Sequence, residues 1–305
     1  MEFFQLEIEK DNPFVNKQLY GVIDIGSNSV RLMLWQKGKT LSKQLITTRL
    51  SEGMGQDLII KPSPLDRTIN AVYKFFELAN EKGVNKIFIF GTEAVRNAKN
   101  KFELIEKIKN LTNINVDVVS GDVEAELAML GCLNYSSGGV IDIGGASTEV
   151  VFSVNGKKVY GKSIGIGAVK LKDIAGDDRV LIDKIISENL CQFVKIPNGQ
   201  FYGVGGTITT LSAMCQKLKI YDSNKTHGYV LTIKEVSFWA DKLFNTPIID
   251  RKNIIGLEEK RAEIIHVGSE ILLLLMRHLN VDKIIVSEKD NLEGYLIRKF
   301  QNQLG

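Results

Sequence analysis

The hexamer Gly21-Val22-Ile23-Asp24-Ile25-Gly26 returns residue for residue as Gly139-Val140-Ile141-Asp142-Ile143-Gly144, an offset of 118 residues. That interval is the size of a domain, whereas solenoid repeats recur at about 20–50 residues. The match stays in register beyond the hexamer, where Ser29 of Ser27-Asn28-Ser29 aligns with Ser147 of Gly145-Ala146-Ser147. Apolar alternation follows each copy, at Val30, Leu32 and Leu34 and at Val150, Phe152 and Val154, and predicts a second strand. Two hairpins with one turn chemistry predict duplicated α/β domains. In each, a buried strand ends at an Asp followed by Gly and small hydroxyl residues. Small residues let a ligand approach the backbone, whose N–H groups then surround anionic oxygens. The Asp offers a carboxylate to a hard cation or an ordered water. One such Asp alone reads as a turn stabiliser; the duplication favours two opposed loops around a phosphate chain.

The rest of the 305 residues agrees with an ordinary globular protein of two domains: 44% hydrophobic, 25% charged, net charge +3. Neither half concentrates basic charge as a DNA-binding module does, so no DNA partner is expected. No apolar run is long enough to cross a bilayer; Ile271–Met276 is bracketed by Glu270 and Arg277. Acids at Glu2, Glu7 and Glu9 argue against a secretory leader. Cys132, Cys191 and Cys215 lack C-x-x-C spacing and read as reduced, buried thiols. The expected location is cytoplasmic.

Helical patterning is expected at 65–82, 101–111, 123–132, 183–194, 233–244 and 261–279. Strands are expected at 86–90, 116–119, 202–204 and 283–286, an alternation of the α/β kind. A third glycine turn, Gly203-Val204-Gly205-Gly206-Thr207, leads into a helix and reads either as a tight structural turn or as an anion site at a helix start. Five lysines (Lys157, Lys158, Lys162, Lys170 and Lys172) occur without an acid among them, as a solvated face or as a track for a polyanion. Glu124, just after Gly121-Asp122, either favours a helix dipole or carries chemistry.

Taken together, these motifs resemble the exopolyphosphatase/guanosine pentaphosphate phosphohydrolase (Ppx/GppA) family, of the actin, sugar-kinase and heat-shock ATPase (ASKHA) superfamily. The resemblance runs from about Gly21 to Phe300. It is carried by 24–31, Thr92–Asn97, 120–125, 142–149, 163–168, Gly203–Thr207, Arg261-Ala262-Glu263, Ser287 and Leu292-Glu293-Gly294. It implies two actin-like, ribonuclease H-like α/β domains around an interdomain cleft: residues 1–123 with 295–305, and residues 124–294. The last helix would return to the N-terminal lobe.

The resemblance makes Glu124 the group that orients and deprotonates the attacking water. Asp142 and Glu149 would hold Mg²⁺, with Mn²⁺ as the alternative ion, and Asp24 would share it. Gly144, Gly145, Ala146 and Ser147 would hold the terminal phosphate. Ser27, Asn28 and Arg31 would line the opposite loop, Arg96 would pair phosphate oxygens, and Gly205, Gly206 and Thr207 would add a further anion contact. Ala146, Glu93, Glu263, Glu288 and Glu293 depart from the usual pattern. The expected reaction is metal-dependent release of terminal phosphate from inorganic polyphosphate. Hydrolysis of guanosine pentaphosphate (pppGpp) is the alternative in the same class, and an actin-like nucleotide switch or kinase the alternative in another. Nothing in the residues chooses between monomer and homodimer.

Overall fold

The two copies of the hexamer become the central strands of two sheets. The structure, a computed structural model, describes residues 17–134 and 136–304. Its first part comprises β1 (Tyr20–Ile25), β2 (Ser29–Gln36), β3 (Lys39–Thr47), α1 (Pro62–Glu81), β4 (Lys86–Gly91), α2 (Glu93–Asn97), α3 (Lys101–Thr112), β5 (Val116–Val118) and α4 (Gly121–Leu133). The second begins with β6 (Gly138–Ile143), β7 (Thr148–Val154), β8 (Lys157–Ile164), α5 (Ala168–Ala175), α6 (Arg179–Leu190), β9 (Phe201–Val204) and α7 (Gly206–Cys215). It continues through α8 (Ser223–Thr226), β10 (Val230–Thr232), α9 (Ile233–Phe244), α10 (Ile248–Arg251), α11 (Ile265–His278), β11 (Lys283–Val286) and α12 (Asn291–Leu304).

The first sheet has the order β3-β2-β1-β4-β5 and the second β10-β11-β9-β6-β7-β8. Read from the other edge, the second repeats the first as β8-β7-β6-β9-β11, with β10 added outside. Parallel and antiparallel pairings correspond as well: β1 with β2 and β6 with β7 are antiparallel, while β1 with β4 and β6 with β9 are parallel. The duplication is therefore architectural and not confined to six residues.

Helices cover both sheets, so β1 and β6 are buried throughout, as strands with two covered faces must be. On one face of the first sheet, Ile23, Ile25 and Ile89 pack with Val72 and Phe75 of α1 and Leu104 and Ile108 of α3. On its other face, Tyr20, Val22, Met33, Trp35 and Phe90 meet Leu127 of α4 and Leu292, Tyr295, Leu296 and Phe300 of α12. Phe90 and Tyr295 stack with centroids 4.5 Å apart. Burying side chains of this size contributes about 1.5–3 kcal/mol each, which holds α12 to the N-terminal sheet. From its opposite side α4 turns Ala125, Ala128, Met129, Leu130 and Leu133 to Val140, Val151 and Val204 of the second sheet. Thus α4 is a shared layer between the two sheets, with α12 alongside it.

The boundaries shift where capping residues act. The helix expected at 183–194 runs over Arg179–Leu190, because the Asp178 carboxylate accepts from Leu181 N at 3.1 Å and starts it early. The helix expected from 261 starts at Ile265, after a separate 3-10 turn at Glu259–Arg261. The thiols are unpaired, but only Cys132 and Cys215 are half-buried; Cys191, just past the end of α6, is exposed, against the expectation of burial.

α4 and α12 cross at glycines. A Cβ on Gly294 would lie 1.9 Å from Leu127 O, and one on Gly131 would lie 1.9 Å from Asp290 O. Backbone atoms cannot rotate aside, so any side chain here must push the helices apart. Gly294→Ala is expected to destabilise the fold by about 1–3 kcal/mol, read as a lowered urea midpoint; an unchanged midpoint would contradict the close crossing.

Candidate active site at the lobe interface

Both hairpin turns close with the same bond: Gly26 N donates to Ser29 O and Gly144 N to Ser147 O, each at 3.0 Å. The turns face one another in contact, since a Cβ on Gly145 would lie 3.0 Å from Ser27 Cβ and 3.2 Å from Asn28 N. Beside them opens a cleft of about 700 Å³. Its wall contains Asp24, Ser27, Asn28, Arg31, Glu124, Asp142, Gly144, Gly145, Ser147, Glu149, Gly205, Gly206 and Thr207, all singled out from sequence. Ala146 and Arg96 are not part of that wall. Ala146 is buried behind it, with Gly167 so close that a Cβ there would lie 2.5 Å from Ala146 N. The lysine-rich run stays outside too: Lys157, Lys158 and Lys162 are exposed on the edge strand β8, where lysines guard an edge against pairing.

The pairing register gives the two copies different electrostatics. Asp24 lies opposite Arg31, whereas Asp142 lies opposite Glu149. Arg31 places Nε and Nη2 on Asp24 Oδ2, at 3.0 and 2.5 Å, and Nη1 on Asp290 Oδ2 at 2.5 Å. Its fork thus rests on two carboxylates. In the second copy two acids face each other, an arrangement that is destabilising unless something positive lies between. Ser163 donates to Glu149 Oε1 at 2.6 Å. Asp142 comes against Gly205, whose φ is +89°; a Cβ there would lie 2.6 Å from Asp142 Oδ1, so the turn admits only glycine.

Glu124 sits in the first turn of α4, which Ser120 caps by accepting from Val123 N at 3.3 Å. Its Oε2 accepts from Arg96 Nη1 at 3.0 Å, while Arg96 also bonds Val119 O at 2.8 Å and the Glu93 carboxylate. Arg96 therefore meets the cleft through Glu124 and Glu93, both of which line it. Burial pushes the Glu124 carboxyl up to about 8; Arg96 opposes this, and Asp142 and Asp24 add to it. Burial also raises Asp142 to about 7, against Arg31 and with Asp290 and Asp24. Glu149 is raised by burial and then by Glu124 and Asp142.

Among the cleft residues that carried no role in the sequence reading are Lys43, Asp290 and Asn291. Asp290 is held down at about 2 because Arg31 and Lys43 outweigh its burial. Lys43 Nζ bonds Glu288 O at 2.6 Å and Glu293 Oε2 at 2.8 Å. Asp290 and Glu293 cap α12 reciprocally: Leu292 N donates to Asp290 Oδ1 and Asp290 N to Glu293 Oε2. That Asp-x-x-Glu spacing was the available signal, since it marks a helix start. Outside the cleft wall, Arg49 and Glu263 form an ion pair at 2.6 Å between the lobes, and Thr48 N and Arg49 N both donate to Asn28 O.

The donors around Asp142 are hard oxygens, which suit Mg²⁺ or Mn²⁺. Asp24 Oδ1 is buried with no hydrogen-bond partner, and the raised carboxyls mark a surplus of buried negative charge. Among the described residues, no three Asp, Glu, His or Cys side chains could hold a metal by themselves. A cation here would draw on phosphate, water or other oxygens as well.

These carboxyls also link stability to pH. Their contribution is complete below the unfolded values, 3.8 for Asp142 and 4.5 for Glu124, and is lost as pH rises through about 7 and about 8. The native chain then binds more protons than the unfolded one, so stability falls with rising pH. In EDTA, the urea midpoint is expected to decline from pH 5 to pH 8.5, with a shallower decline in Asp142→Asn. A midpoint that rises over this range would contradict the burial of these charges.

The Ppx/GppA phosphatase family model matches residues 27–303. The chain is 30% identical, over 95% of its length, to the bifunctional 3-dehydroquinate synthase/phosphatase of Fusobacterium nucleatum, of which it covers 48%. It is 26% identical, over 89% of its length, to exopolyphosphatase 2 of Mycobacterium tuberculosis and covers 95% of that protein. It is 24% identical, over 88%, to the guanosine-5'-triphosphate,3'-diphosphate pyrophosphatase of Aliivibrio fischeri and covers 56% of it. The chain thus spans about half the length of the first and third of these relatives. A crystal structure of the Aquifex aeolicus Ppx/GppA family member, 29% identical, matches 94% of this chain and 99% of its own with a TM-score of 0.78. An exopolyphosphatase from Cytophaga hutchinsonii, 27% identical, matches 93% and 98% with a TM-score of 0.84. With two sheets of one topology, paired Asp-tipped hairpins and a family match through nearly all of both lobes, the chain belongs to the Ppx/GppA phosphatase family and is built from two α/β domains.

Proposed function

We propose that this chain is a metal-assisted phosphoanhydride hydrolase that releases terminal phosphate from inorganic polyphosphate. The observation that carries the reading is the position of Glu124: a buried carboxylate in a helix's first turn, held by Arg96, in the wall of the cleft where the two hairpin turns meet. Phosphoryl transfer asks the protein mainly for positioning and charge stabilisation. Glu124 orients the attacking water and takes its proton. Neutralising Asp142 and Asp24 removes two charges that hold Glu124 protonated, which readies it as a base near neutral pH. Gly144, Gly145 and Ser147 cradle the terminal phosphate opposite Ser27 and Asn28. Arg96 keeps Glu124 aimed, and Arg31 keeps Asp24 and Asp290 in place. Asp142 and Glu149, with Asp24, hold the divalent cation, which when bound neutralises phosphate charge and stabilises the leaving group. No helix of the described residues is long and apolar enough to cross a membrane, and a cytoplasmic site of action is part of the same reading.

One observation favours the pppGpp alternative. Tyr221 and Glu288, joined by a hydrogen bond from the phenol to the carboxylate, line the same cleft. A ring face and an acceptor suit a purine better than a bare phosphate chain.

Two measurements test the reading. Glu124→Gln is expected to keep tripolyphosphate binding while phosphate release falls by about 10²–10⁴-fold; undiminished release would remove Glu124 as the base. A comparison of kcat/KM on tripolyphosphate and on pppGpp, for the native chain and for Tyr221→Ala, separates the two substrates. Preference for pppGpp, lost selectively in the variant, would replace polyphosphate as the substrate.

A further inference from the structure

Two oxygens in the cleft wall are buried and have no hydrogen-bond donor: Asp24 Oδ1 and Asn291 Oδ1. They come from different parts of the chain, Asp24 from β1 of the N-terminal sheet and Asn291 from the first turn of α12. Asp142, from β6, is tied to the second of them, since Asn291 Nδ2 donates to Asp142 Oδ2 at 3.3 Å, and it feels the charge of Asp24. In that contact the NH₂ faces the carboxylate, and the amide oxygen is the atom left over.

An acceptor buried without a partner costs about 1–3 kcal/mol. An apolar residue would avoid that cost, and the very next position, Leu292, is an apolar residue packed in the core between the lobes. Asn291 is 4% exposed, so solvent does not meet the need either. Carboxylates alone do not complete a cage among the described residues. Amide oxygens are regular ligands of hard divalent ions, alongside one or two carboxylates and water.

We propose that Asn291 supplies a neutral oxygen to the divalent cation held by Asp142 and Asp24, so that one ion joins α12 to both duplicated hairpins. This rests on the metal-assisted reading above, and it extends the ligand set to a residue outside the hairpins. It gives both donorless oxygens a partner and accounts for a polar side chain at a helix position facing the core.

Mn²⁺ binding to the purified full chain, followed through the electron paramagnetic resonance of the free ion, tests it. Asn291→Leu keeps the size and removes the oxygen; Mn²⁺ affinity is expected to fall about tenfold or more. Asn291→Asp keeps the oxygen, adds charge and is expected to tighten binding. Should the Leu variant fail to fold, the Asp variant decides: Mn²⁺ affinity equal to or below that of the native chain overturns the proposal. Native affinity in the Leu variant, with binding lost in Asp142→Asn, also overturns it yet leaves the metal-assisted reading standing. If the native chain binds no Mn²⁺ even with inorganic phosphate present, both fall together.

Discussion

Two helices packed glycine to backbone, α4 against α12, set the geometry on which everything else depends. Because α4 buries Leu127 toward one sheet and Ala128, Met129 and Leu130 toward the other, the two lobes share a single apolar layer. That layer brings the ends of β1 and β6 to the same cleft, and it places the first turn of α4, with Glu124, beside them. α12 enters the same layer and carries Asp290 and Asn291 into the cleft from behind. The groups that line the cleft thus come from segments far apart in the chain, and their spacing is set by hydrophobic packing at the interface between the lobes.

The duplicated hairpins have diverged in charge while keeping their backbone. One pairs Asp24 with Arg31 and is neutral by itself; the other sets Asp142 against Glu149 and is not. The first copy is an anchored scaffold whose arginine also fastens Asp290. The second holds unresolved negative charge in a buried place, and its carboxyls respond by holding protons. A buried surplus of this kind is a cost to folding, and a fold that keeps it has a use for it. Equivalent positions 31 and 149 carry opposite charge, and this gives two turns of the same backbone different electrostatics.

The repeat, the central strands and the cleft-facing turns were legible because each is a local pattern of consecutive residues. Glu124 became legible only through the resemblance, since its first-turn position has an ordinary dipole explanation. Lys43, Asp290 and Asn291 escaped because their partners are remote: Asn291 meets Asp142 149 residues away, Lys43 meets the Glu288 carbonyl 245 away, and Arg31 meets Asp290 259 away. No window along the chain contains such pairs. Arg31 and Arg96 were expected to meet phosphate, whereas the carboxylates that occupy their forks belong to folded geometry. The shift of α6 had a different origin: the cap that starts the helix, Asp178, lies upstream of the apolar spacing that marked it.

The ion pair between Arg49 and Glu263 joins the two lobes at the solvent edge of their interface. Both side chains are partly open to solvent, 31% and 46%, and exposed pairs contribute about 0–1 kcal/mol. This edge is therefore fastened far more weakly than the interior of the interface. Parting this pair leaves the helical layer beneath undisturbed. Because the backbone N–H groups of Thr48 and Arg49 donate to the Asn28 carbonyl, the segment that carries this pair is tied directly to the turn of Ser27 and Asn28.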